Sequence, residues 1–84
     1  MTDDEFDVMD ELYFLQSFEE LKEQVDIEGE KLKEILRNLL SKGWVKCFES
    51  ATESLAIDII DFESNFDKYH YLATKEGLLA HNSV

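Results

Sequence analysis

The sequence has no proline, three glycines, one cysteine and two histidines, and it sets eight Lys and Arg against twenty Asp and Glu. Most of these shortages remove a class of function. A single thiol, Cys47, can form no intramolecular disulfide, so a reducing cytoplasm is the expected setting. His70, His81 and Cys47 fall into no metal-ligand spacing such as Cys-x-x-Cys or His-x-x-x-His. Acid pairs such as Asp3–Asp4 lack the loop pattern of a calcium site. Gly29, Gly43 and Gly77 are scattered, so there is no glycine-rich phosphate loop. No enzyme activity, cofactor, metal or small-molecule ligand is therefore expected. No apolar run approaches the length of a membrane span, and the start M-T-D-D-E-F-D lacks the basic opening of a signal peptide, so no membrane partner is expected either.

What is present suits one small domain over residues 1–84. The apolar fraction is 44 % and the aromatic fraction 12 %, enough for a core rather than a disordered acidic chain. A chain this short buries a modest core, which makes a homodimer or a protein partner a natural supplement. The formal charge of −12 is unevenly spread. Asp3, Asp4, Glu5, Asp7, Asp10 and Glu11 fill residues 1–11 with no base among them. Glu49, Glu53, Asp58, Asp61, Glu63 and Asp67 do the same over residues 49–67. Residues 31–46 reverse the balance, with Lys31, Lys33, Arg37, Lys42 and Lys46 against Glu34 alone.

The basic stretch lies on the best-defined element. From Leu32, apolar residues recur at Ile35, Leu36, Leu39 and Leu40, the stripe of a helix with one buried face. The spacing predicts a helix over about 28–42. Gly43 then supplies the left-handed residue that ends a helix, and Lys42 suits the negative end of its dipole. Before it, Phe6, Met9, Leu12 and Tyr13, widened by Val8 and Leu15, predict a helix over about 3–16. S-F-E-E at Ser17 forms a capping box for a second helix over about 18–24, with Phe18, Leu21 and Val25 inward. Asp26, tolerant of a left-handed backbone, makes the bend that follows.

After Gly43 the period changes. W-V-K-C-F alternates, with Lys46 outward and Cys47 inward, and K-Y-H-Y-L-A-T predicts a second strand over 68–73. Thr74 caps a last helix over about 75–81 that returns Leu78 and Leu79 to the core, and the tail from His81 onward is expected to fray. The insert 49–67 supports two readings. Leu55, Ile57 and Ile59 alternate as in a strand, helped by β-branched residues. Leu55, Ile59, Phe62 and Phe66 recur as on a helix. A connection this long must cover either the domain's own core or a second molecule.

Three helices, a hairpin over about 44–73 of two strands (or three) and a closing helix make an α+β winged helix-turn-helix. The stretch F-E-E-L-K-E-Q-V-D-I-E-G-E-K-L-K-E-I-L-R-N-L-L-S-K-G-W-V, Phe18 to Val45, resembles the winged-helix regulators of the multiple-antibiotic-resistance and PadR types. Y-L-A-T-K-E-G, Tyr71 to Gly77, is similar to that family's exit from the wing. The resemblance implies that the third helix is a recognition helix whose N-terminal residues enter the major groove. Three residues depart from the family pattern. Lys22 stands where a small residue is usual, Asp26 where Gly is common, and Glu28 where Ser or Thr starts the recognition helix.

Two functions follow. If DNA is the partner, Lys31, Lys33, Arg37 and Lys42 are the candidate phosphate contacts, on a protein whose acidity elsewhere opposes counterion release. If a protein is the partner, whether another molecule or a second copy, the apolar insert residues Leu55, Ile57, Ile59, Phe62 and Phe66 are the candidate contact surface. The charge balance favours protein contact in a regulatory or assembly role over DNA contact.

Overall fold

A computed structural model describes residues 1–48 and 65–82. Its elements run α1 (Asp3–Glu11), β1 (Gln16–Ser17), α2 (Phe18–Val25), α3 (Gly29–Ser41), β2 (Val45–Phe48), a 3-10 turn (Phe66–Lys68), β3 (His70–Ala73) and α4 (Lys75–Asn82). The fold is mixed α+β, and its helices and small antiparallel sheet are compatible with a winged-helix arrangement.

The helix boundaries follow from their caps. Thr2 opens α1 with a capping box in which its hydroxyl accepts from the Glu5 N–H at 3.1 Å and Glu5 accepts from the Thr2 N–H at 2.9 Å. Ser17 and Glu20 repeat the device at α2, as their spacing predicts. Asp26 adopts a left-handed backbone (φ 51°) and turns the chain into α3. At the far end of α3, Gly43 (φ 75°) allows a Schellman closure. Its N–H donates to Leu40 at 3.1 Å and the Trp44 N–H donates to Leu39 at 3.0 Å.

The first helix is shorter than the 3–16 expected. The Gln16 side chain donates to the Glu11 carbonyl at 2.7 Å, and the Leu12 carbonyl accepts from the Ala73 N–H at 3.0 Å. Carbonyls that would have continued the helix are taken by other partners, and Gln16–Ser17 is free to become a strand. The sheet order is β1-β3-β2, with Gln16 opposite Tyr71 and Ser17 opposite His70 on one side of β3. On the other side Val45 pairs with Ala73 and Phe48 with His70. The third strand thus precedes α2. The readings of Leu55, Ile57, Ile59 and Phe62 as strand or helix fall outside the described residues.

The core lies where α1, α2 and α3 meet the sheet. Val8, Met9, Leu12, Leu21, Leu32, Leu36 and Leu39 are fully buried, joined by Val45, Cys47 and Tyr71 from the strands. Lys46 points outward between Val45 and Cys47, as the alternation predicts. Two expectations about the last helix fail. Leu78 packs on the core, but Leu79 is 61 % exposed. His81 is buried rather than frayed. The cause is Gly77, which faces inward so closely that an added Cβ would lie 2.0 Å from the Trp44 carbonyl oxygen. With Gly77 against Trp44, the residue one turn on, His81, is buried and Leu79 is turned out.

Candidate functional site

The α3 stripe of Leu32, Ile35, Leu36 and Leu39 is buried. That leaves Glu30, Lys31, Lys33, Glu34 and Arg37 on the outer side, where they line a shallow open depression together with Glu28. Glu28 is the N-cap residue of α3 and makes no side-chain capping hydrogen bond. With Glu28 rather than a short hydroxyl or Asx side chain at the N-cap, the helix start lacks a side-chain acceptor.

Each of the four basic candidates has an internal partner. Lys31 Nζ lies 2.7 Å from Asp4 Oδ2 on α1, and that hydrogen-bonded carboxylate pushes the Lys31 ammonium above its ordinary pKa. Lys33 Nζ sits 4.8 Å above the Phe66 ring. Arg37 Nη1 lies 3.5 Å from Glu34 Oε1, one helical turn away. Lys42 Nζ lies 3.3 Å from Glu5 Oε2 and 4.8 Å from the Trp44 ring centre. Lys31, Lys33 and Arg37 share α3 and Lys42 caps its end, and α1 brings Asp4 to Lys31 and Glu5 to Lys42.

Glu5 was not legible as part of this site, although its position gave a signal. Glu5, Val8, Met9 and Leu12 are spaced i, i+3, i+4 and i+7, so an acid occupies the buried stripe of α1. Glu5 is 5 % exposed. Burial raises its pKa, but the Thr2 N–H and the Lys42 ammonium outweigh burial and hold the carboxyl below its ordinary value. Tyr71, whose hydroxyl donates to the Phe66 carbonyl inside the core, is pushed the other way by burial.

Of the apolar candidates, Phe66 is described. It stands edge-on to Phe18, with ring centres 5.0 Å apart, and is half-buried against the domain's own core. Leu55, Ile57, Ile59 and Phe62 lie outside the described residues.

A second cluster joins α1 to α4. His81 stacks on Phe6 at 4.1 Å, and its Nδ1 lies 3.1 Å from the Tyr13 hydroxyl. Its Nε2 is 3.0 Å from Asp10 Oδ1, an ion-pair distance without the alignment of a hydrogen bond. The spacing of Gly77 and His81, one turn apart, was the signal for it.

These features define a small α+β domain with a charge-balanced helix face. Among the described residues no helix is long and apolar enough to cross a membrane. No family model, curated protein or solved structure matches the chain.

Proposed function

We propose that this chain is a winged-helix module that works by contacting another protein, or a second copy of itself, in a regulatory or assembly role. The observation that carries this reading is the internal pairing of the α3 cations. Lys31 and Lys42 are held by Asp4 and Glu5, and Arg37 by Glu34, while Glu28 and Glu30 stand at the helix start. A recognition helix draws affinity by releasing counterions from several phosphates, and cations already neutralised in place give up that gain. The total charge of −12 adds a repulsive field toward any polyanion.

The alternative is a DNA-binding regulator that uses Lys31, Lys33, Arg37 and Lys42. What favours it is the common position of Lys31, Lys33 and Arg37 on the solvent side of α3. Fluorescence anisotropy of a labelled random-sequence duplex, titrated with the protein at about 50 and 200 mM salt, separates the two. Non-specific DNA binding by regulators has Kd on the order of 10⁻⁴–10⁻⁶ M at physiological salt and tightens at low salt. No binding is expected up to ~100 μM protein at the lower salt, a concentration chosen from that range. Binding that collapses at the higher salt overturns the protein-contact reading.

A further inference from the structure

The turn between α1 and β1 presents Phe14 at 78 % exposure, the most open of the large apolar side chains described, beside Tyr13 at 42 %. This turn is held firmly. The Leu12 carbonyl accepts from Ala73, Gln16 closes onto Glu11, and the Tyr13 hydroxyl donates to Asn82 Oδ1 at 3.1 Å. An aromatic ring on a fixed backbone loses little freedom when a partner covers it, which is the property of an anchor residue.

The surroundings say what kind of partner fits. From Met1 to Leu21 the chain has no Lys or Arg, while Asp7, Asp10, Glu11, Glu19 and Glu20 lie on either side of the turn. A second copy meeting this patch about a twofold axis would set acids against acids. Charge complementarity therefore selects a partner with bases around an apolar pocket.

Resting on the protein-contact reading above, we propose that Phe14 is the anchor of a docking surface for a basic, amphipathic segment of another protein. Selection of phage-displayed random dodecapeptides on the full chain tests this, followed by anisotropy titration of the enriched peptide. Enriched peptides are expected to combine apolar residues with Lys or Arg. Phe14→Ala should weaken their binding at least about tenfold, the loss expected of an anchor residue. Leu79→Ala, at another exposed apolar position on α4, should leave binding unchanged. Peptides that bind Phe14→Ala as well as the wild type, or that lack basic residues, overturn the Phe14 site and leave protein contact standing. No enriched peptide, together with salt-sensitive binding of the random duplex, overturns both.

Discussion

Glu5 shows how one side chain can set the character of a distant surface. It accepts from Thr2 at the start of α1 and from Lys42 past the end of α3, so it both caps one helix and pins another. Its carboxyl is held below the ordinary value of 4.5, which fixes the sign of its pH dependence. A depressed carboxyl contributes stability above the unfolded-state value and loses it as pH falls through the folded-state value. Glu5→Gln is expected to cost about 1–2 kcal/mol at pH 7, the scale of a charged hydrogen bond lost from a buried site. The gap between wild type and variant should narrow as pH falls below the ordinary carboxyl value toward the lowered folded-state one. Urea unfolding at pH 7 and at pH 3 measures both gaps, and a gap that stays constant would rule out the pair as its source.

Among the elements, α3 combines the strongest apolar stripe with the weakest start. Its N-cap is Glu28, whose side chain makes no bond to the first turn, whereas α1 and α2 both open with a hydroxyl and a reciprocal glutamate. Packing of Leu32, Ile35, Leu36 and Leu39 offsets the missing cap. Glu28→Ser should therefore stabilise the domain by about 0.5–1 kcal/mol, seen as a higher urea midpoint with an unchanged slope. A lower midpoint would mean that Glu28 has a role in the fold beyond the cap. The capping box at Ser17, the left-handed Asp26 and the Gly43 stop were legible because each is a local rule with a local residue signature. The end of α1 was not legible. Leu12, Tyr13 and Leu15 continue a helical pattern, and only the partners Ala73 and Gln16 stop it.

For the molecule as a whole, the charge of −12 sets two opposing effects against each other. Raising salt weakens the exposed Lys31–Asp4 pair, which contributes little to begin with, and touches the Lys42–Glu5 pair less because Glu5 is buried. The same salt screens the repulsion among the excess acids, whose range is about 10 Å at 0.1 M. Repulsion should win. The melting temperature is expected to rise by a few degrees, about 4–8 °C for each kcal/mol in a domain of this size, when salt goes from about 0.05 to 0.5 M. A fall in differential scanning calorimetry would show that the pairs dominate.

Local chemistry in the chain was enough to place α2, α3, the turn between them, the alternation of β2 and the cap of α4. Each depends on residues within a turn or two of one another. The outer face of α3 is different. Read along the chain it is a run of bases, and in the fold Lys31 and Lys42 meet Asp4 and Glu5 from α1. The burial of His81 and the exposure of Leu79 likewise depend on Trp44 lying against Gly77. Packing brings together residues that sequence spacing keeps far apart. For that reason the charge of the central helix face belongs to the tertiary structure, while the helix itself belongs to the sequence.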